Sequence, residues 1–343
     1  MQISLKQLET ITKDKNVLYV TNKKSFLKNG LDKTLKTNDS VIYNNFSLNP
    51  KLTDIKIACE TLHNEQFDFV IGVGGGSAMD FAKSLHYFLE LKLESEIDYL
   101  EHINAPHPAH INSELILIPT TAGSGSEATH FSVVYDDKVK YSFSHEALRA
   151  KYIVLDPQFT KDLPPNITAY TGMDAIVHAI ESYWAKAATT ESKEYALNAL
   201  RLLVPHIKEA TFSPTNLSRM AMLEGSYLAG KAIDISKTTA AHAFSYYLTT
   251  HFDIPHGKAV CNMLSYFLVA NGEYPELNQI FKVKNNLELK EAFVKLLKEL
   301  ELYFNPFEMV NDLDDFIDAV NLQRLENNPV SFSQEQLETL FTQ

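Results

Sequence analysis

The stretch that most limits what this chain can fold into is residues 172–186, GMDAIVHAIESYWAK. Met173, Ala175, Ile176, Val177, Ala179 and Ile180 make it apolar enough to lie inside a protein, and nothing after Gly172 breaks a helix. Within that run stand a carboxylate and an imidazole, Asp174 and His178. They are four residues apart, so a helix stacks them on one face, one turn above the other. A lone carboxylate is costly to bury unless something positive faces it. A metal ion would satisfy both side chains together. A plainer reading also fits: Thr171 and Asp174 have the spacing of a capping box, which would place Asp174 there only to start the helix.

Ahead of this stretch, strand-like and helix-like patterns alternate. The β-branched and apolar runs at 16–21, 40–44, 67–73 and 151–157, and ELILIPTTAG from residue 114, read as strands, while 51–64 and AMDFAKSLHYFLEL read as helices. After Pro157 long helical stretches take over, at about 171–187, 190–210, 217–232, 237–251, 257–271, 288–302 and 312–321. They are divided by the turn clusters SPTN, NGEYPEL, FNPF and NNPVS. The pattern predicts an α/β nucleotide-binding domain with a parallel, Rossmann-like sheet over residues 1–157. An all-α metal-binding and catalytic domain follows over 158–343, with a ligand expected in the cleft between the two.

Charge and cysteine content remove several classes of function. Lys and Arg number 31 against 43 Asp and Glu, a formal charge of −12, which argues against nucleic acid or an anionic membrane surface as a partner. Cys59 and Cys261 are too few for a disulfide framework or a Cys-rich metal site. No apolar run approaches the ~18 residues of a membrane span, and the first residues lack a signal-peptide core. The expectation is a soluble cytoplasmic protein.

Two glycine-rich loops follow strands. Gly74, Gly75, Gly76 and Ser77 lie between a strand and a helix, with Asp80 in that helix's first turn. Glycine lets the backbone approach a ligand, and a helix N-terminus offers free N–H groups to pyrophosphate. This is not the G-x-G-x-x-G fingerprint, and a tight strand–helix turn would look the same. The second loop is PTTAGSGSE, residues 119–127. Open α/β sheets bind nucleotides at such loops. Among the 12 histidines, His242 in TTAAHAFSYYLTTHF and His256 in IPHGKAV join His178 in the helical part. Each read alone is a core histidine bonded to its neighbours. Three imidazoles and one carboxylate, without sulfur, suit Fe(II) or Zn(II) with a position left for a substrate oxygen.

These parts together resemble the iron-containing (group III) alcohol dehydrogenases of the dehydroquinate-synthase-like fold. The resemblance rests on GGGSAMDFAK, IPTTAGSGSEAT, VLDP, GMDAIVHAIESYW and HAFSYYLTTHFDIPHG, in that order. It implies that Asp174, His178, His242 and His256 hold one divalent metal, with iron as the family expectation. It further implies that Gly74, Gly75, Gly76 and Ser77 hold the pyrophosphate of NAD or NADP, and that Thr120, Thr121 and Ser124 line the adenosine and ribose side, with Asp80 nearby. A small-molecule alcohol or aldehyde substrate and a homo-oligomer, expected as a dimer, follow from the same resemblance.

Two positions depart from the family pattern. Tyr246 stands where members often carry a further histidine near the nicotinamide, so a proton relay there would pass through Tyr246 or His251. Asn22 stands where many members have an aspartate on the ribose hydroxyls; with Lys23 and Lys24 following, NADPH is expected to be accepted. VTNKKSF, FSLNP, AIESYW and TTAAHAFSYYLT look closest to the phosphonoacetaldehyde reductase branch. That implies a short anionic aldehyde, for which Lys231, Lys237, Lys258 and His251 are candidate contacts. The alternatives are a general short-chain alcohol dehydrogenase and a sugar-phosphate cyclase-like lyase of the same fold.

Overall fold

A computed structural model describes the chain apart from residues 23–25, 27–30, 36–39, 92, 94, 106–110, 138, 321–324 and 343. The chain forms two compact units. The first comprises Met1–Thr121 and Ser126–Asp162, the second Ala122–Gly125 and Leu163–Gln343.

The first unit is built on a five-stranded parallel sheet. Its strands are β1 (Val17–Thr21), β2 (Val41–Tyr43), β3 (Phe69–Gly74), β4 (Glu114–Pro119) and β7 (Tyr152–Ile153), in the order β2-β1-β3-β4-β7. Every neighbouring pair runs parallel. Such a sheet carries helices on both faces, and its strands accordingly read as unbroken apolar runs. Leu18, Val20, Val70 and Leu117 are buried on one face; Val17, Ile71, Ile116 and Ile118 pack in a cluster on the other. All five strands match segments expected from the sequence. The antiparallel pair β5 (Phe131–Asp136) and β6 (Val139–Ser144) was not expected.

Strand order reverses between β1 and β3, which are hydrogen-bonded neighbours with Thr21 opposite Val73. The crevice at the carboxyl ends of such a strand pair is where open α/β sheets take a nucleotide. Gly74 ends β3, and the helix Gly76–Leu91 starts at once. A Cβ on Gly74 would lie 2.5 Å from that of Ala78, so only glycine lets the chain turn this tightly into the helix.

The second unit is helical: Pro165–Trp184, Thr190–Phe212, Asn216–Ser236, Ala240–Phe252, His256–Ala270, Pro275–Phe281, Asn286–Glu299, Leu313–Asp318 and Gln334–Thr342. Capping boxes at Thr189/Ser192 and Thr215/Ser218 start two of the long helices. The helix Pro165–Trp184 is buried on all sides from Gly172 onward, the mark of a central helix rather than a surface one. It begins at Pro165, ahead of the expected start at 171. Thr171 therefore lies inside it, its hydroxyl donating to the Ile167 carbonyl, and the capping-box reading of Asp174 falls away.

Candidate metal centre

Three helices of the second unit bring their polar residues to one point. The helix Pro165–Trp184 supplies Asp174 and His178 from one face, Ala240–Phe252 supplies His242 near its start, and His256 begins the helix His256–Ala270. The last helix approaches closely because residue 257 is glycine: a Cβ there would stand 2.0 Å from the Tyr170 carbonyl oxygen and 3.2 Å from Asp174 Cβ. Asp174, His178 and His242 are buried, and the side chain of His256 is one-third exposed, the open side of the cluster.

The geometry converges on Asp174 Oδ1. His242 Nε2 lies 3.5 Å from it, His256 Nε2 3.9 Å and His178 Nε2 4.0 Å. Ligand atoms of Asp174, His242 and His256 all fall within 4.8 Å of one another. His178 stands outside that trio but stacks on the His242 ring, centroids 4.5 Å apart. Two donors sharing an ion at bond lengths of ~2.0–2.2 Å stand at most about 4.3 Å apart, so each imidazole can share an ion with Asp174. Asp174 Oδ1 and His242 Nε2 are buried yet make no hydrogen bond. Native interiors rarely leave such atoms unmatched, and a cation matches both. A divalent metal therefore fits these residues.

Electrostatics agree with that fit. Burial pushes the Asp174 carboxyl upward, but the surrounding imidazoles outweigh it and hold it far below the usual range. Burial pushes His178 down to about 4, leaving it a neutral imidazole. His242 is also desolvated, yet Glu181 and Asp174 on its two sides raise it to about 9. The pocket thus calls for one positive charge between Asp174 and Glu181.

Glu181 is a residue that the sequence reading passed over. Wholly buried, its Oε2 pairs with His242 Nδ1, and its Oε1 accepts from the Thr239 hydroxyl at 2.7 Å and the Ala241 amide at 2.8 Å. The signal was present: Glu181 is three residues beyond His178 and seven beyond Asp174, a third ionisable residue on the same face of an apolar helix.

The other expected residues sort themselves by their contacts. Tyr246 lies face to face with His256, centroids 5.4 Å apart and planes 5° from parallel. His251 sits on the exposed last turn, its Nδ1 3.1 Å from the Tyr247 carbonyl. Lys231 donates to the Tyr195 hydroxyl at 2.6 Å, Lys258 lies over the Phe304 ring, and the exposed Lys237 donates to the Asp234 carbonyl. In the first unit, Asn22 is exposed just past the end of β1; Lys23 and Lys24 lie outside the described residues. The Thr120 amide donates to the Gly74 carbonyl, tying the two glycine-rich loops together, and Thr121 faces Gly75. The Ser77 hydroxyl accepts from the Asn49 amide at 3.4 Å. Asp80 accepts from the Ser126 hydroxyl at 2.5 Å and the Val133 amide at 3.3 Å, so its carboxylate anchors the second loop. Ser124 belongs to the short stretch Ala122–Gly125 of the second unit.

Comparison with known proteins gives a consistent picture. Residues 2–157 match the family model of iron-containing alcohol dehydrogenases, and 168–343 match that of the family's C-terminal region. The chain is 36% identical over 228 residues to long-chain-alcohol dehydrogenase 1 of Geobacillus thermodenitrificans, an alignment covering 66% of this chain and 58% of that protein. It is 36% identical over 223 residues to sulfoacetaldehyde reductase of Bilophila wadsworthia, covering 64% and 56%. The chain thus spans less than two thirds of the length of either relative. Among solved structures, sulfoacetaldehyde reductase of Bifidobacterium kashiwanohense in complex with NAD+ superposes with a TM-score of 0.89 at 27% identity, over 99% of this chain and 95% of that one. An iron-containing alcohol dehydrogenase of Thermotoga maritima superposes with a TM-score of 0.85 at 31% identity, over 98% and 94%. Among the described residues no helix is long and apolar enough to cross a membrane.

Proposed function

The chain belongs to the iron-containing alcohol dehydrogenase family, and on that premise we propose that it reduces a short anionic aldehyde, of the phosphonoacetaldehyde or sulfoacetaldehyde kind, with NADH or NADPH. The observation that carries the reading is the convergence of three imidazoles on the unbonded Oδ1 of Asp174. The balance is aldehyde, reduced cofactor and one proton on one side, alcohol and oxidised cofactor on the other. When bound, the dinucleotide supplies the hydride chemistry, and the divalent ion, Fe(II) by family or Zn(II) by donor type, supplies a Lewis acid for the substrate oxygen.

The chain's own residues do the rest. Gly74, Gly75, Gly76 and Ser77, at the start of the helix Gly76–Leu91, present backbone N–H groups to pyrophosphate. Thr120, Thr121 and Ser124 line the adenosine and ribose side, while Asp80 acts through Ser126 by holding that loop in place. Asp174, His178, His242 and His256 hold the ion. Tyr246, stacked on the one ligand with an open side, would pass its Oη proton to the oxygen of the reduced carbonyl and regain one from solvent, the single proton of the balance; His251 is turned to the surface instead.

The anionic substrate class is supported by likeness to two sulfoacetaldehyde reductases, whose named substrate is a two-carbon aldehyde with an anionic group. A second reading, a general short-chain alcohol dehydrogenase, is favoured by the lysines: Lys231 and Lys258 are engaged by Tyr195 and Phe304. One panel decides. Iron-loaded protein is given phosphonoacetaldehyde, sulfoacetaldehyde and propanal with each reduced cofactor, and nicotinamide absorbance is followed. Faster turnover of the anionic aldehydes supports the first reading, and faster propanal the second. No loss of absorbance with any aldehyde overturns both.

A further inference from the structure

Glu181 takes part in two structures that are usually separate, the start of a helix and the setting of a metal ligand. The helix Ala240–Phe252 has Thr239 at its N-cap, yet the Thr239 side chain makes no cap bond to it. A helix start leaves amide N–H groups without intrahelical partners. Here the first intrahelical bond is that of Ala243 to the Thr239 carbonyl. The earlier amides of Ala241 and His242 turn to Glu181 Oε1, at 2.8 and 3.4 Å, and the Thr239 hydroxyl donates to the same oxygen. Thr239 Oγ1 in turn accepts from the indole of Trp184 at 3.0 Å, so the only tryptophan of the chain closes the network. Oε1 is thus occupied by donors from the helix start. Oε2 is left for one partner, His242 Nδ1.

The structure assigns to Glu181 the role of a positioning residue that caps the His242 helix with one carboxylate oxygen and, with the other, keeps the His242 proton on Nδ1 so that Nε2 faces Asp174 as a lone-pair donor. Metal-ligating histidines commonly donate their second N–H in this way, and losing such a partner costs about 10–100-fold in metal affinity. What this chain adds is that both duties fall on one fully buried side chain. The two oxygens face donors only, which a carboxylate satisfies and an amide does not. In Glu181→Gln, an amide oxygen kept on the helix start turns the NH2 group toward Nδ1. The imidazole proton then moves to Nε2, the metal-facing atom. With the amide reversed, Nδ1 keeps its acceptor and the helix start loses its cap.

This inference rests on the metal centre proposed above, and the test separates the two. Metal-stripped wild type, Glu181→Gln and Thr239→Val are titrated with Co(II) against a competing chelator, and the visible spectrum of bound Co(II) is recorded. Far-UV circular dichroism and the metal-free unfolding midpoint are measured beside it. Glu181→Gln is expected to bind Co(II) about 10–100-fold more weakly, with an altered spectrum and native circular dichroism. Thr239→Val, which disturbs the helix start without touching the imidazole, is expected to lower the unfolding midpoint while keeping Co(II) affinity within about threefold. Equal affinity of Glu181→Gln and wild type overturns the positioning role, as does an equal loss in both variants, which would make Glu181 a cap alone. Wild type that binds no Co(II) defeats the metal centre itself. Should Glu181→Gln not fold, 15N-histidine spectra of zinc-loaded wild type decide. With the His242 ring assigned by its loss in His242→Ala, its Nδ1 must carry a proton, and a bare Nδ1 on that ring overturns the inference.

Discussion

Both units bury charged side chains, and the two burials differ in how they end. In the first unit Lys83 is wholly buried, yet its ammonium donates to the Thr129 hydroxyl at 2.8 Å and the Phe131 carbonyl at 2.9 Å. Asp80, on the same helix, closes on Ser126 and Val133. In the second unit Glu181 is equally well closed, but the network it supports stops at His242 Nε2 and Asp174 Oδ1, which have no hydrogen-bond partner. Saturated networks hold a fold, whereas atoms left open among well-placed donors face something the chain does not supply. Such a contrast separates Asp80 from Asp174, two aspartates that look alike in the sequence.

The sharpest way to break the contrast is His256→Ala. The open network should lose its metal and on the order of 10³-fold in kcat/KM, about 4 kcal/mol. The metal-free unfolding midpoint should hardly move, because the side chain is one-third exposed at a helix start. Metal analysis alongside calorimetry checks this. Metal content equal to wild type would remove His256 from the site.

Lys83→Met probes the closed network and should do the reverse. Breaking a buried, charge-assisted set leaves Thr129 and Phe131 short of a partner and Asp80 without a nearby positive charge, at a cost of about 3 kcal/mol in denaturant unfolding. Metal stoichiometry should stay at the wild-type value. A variant that unfolds normally but loses metal would show that the two networks are not distinct in kind.

Much of this division could be read in the sequence, and what could not has identifiable causes. The five parallel strands were legible because strands buried on both faces read as unbroken apolar runs. The β5–β6 pair was not, since its half-buried residues alternate weakly. One helix start is misplaced and one short helix is missed: the Thr171/Asp174 spacing sets the first helix at 171 instead of Pro165, and Pro275, which stands at the first turn of its helix where proline fits, falls within the break NGEYPEL. Asp174 and His178 were legible as a pair because their relation is local to one helix. The contact of Glu181 with the helix of His242 spans 61 residues, and no spacing rule reaches that far. The roles of His242 and His256 came from family resemblance, and the structure supplies their distances.

Glu127 refines the comparison, being buried in the first unit with its own backbone amide as a hydrogen-bond partner and Lys83 only at a distance. Burial raises its carboxyl from 4.5 to about 7, with the backbone hydrogen bond and then the attraction of Lys83 opposing the rise. Between those values the folded chain keeps a proton that the unfolded chain has released. Stability from this group therefore falls as pH rises from about 4.5 to about 7 and is level above. Glu127→Gln removes the effect, so its stability relative to wild type should rise by on the order of 2 kcal/mol between pH 5 and pH 8. Urea unfolding at the two pH values measures it. An unchanged difference would mean that Glu127 stays ionised throughout.

The smallest expected effect lies at the rim of the first unit, where the contrast between closed and open groups meets a ligand of either charge. Asn22 is exposed at the carboxyl end of β1, beside the strand that leads into the glycine loop. A carboxylate there would accept from the two ribose hydroxyls of NADH and would repel the 2′-phosphate of NADPH, whereas a neutral amide does neither strongly. Asn22→Asp should therefore shift the NADPH-to-NADH ratio of kcat/KM toward NADH by about tenfold, near 1.4 kcal/mol. The shift should shrink in high salt, because exposed charges are screened. Metal content and unfolding midpoint should match wild type, since the side chain lies on the surface. A ratio that does not change with the substitution would place the ribose elsewhere on the rim and leave Asn22 a surface residue.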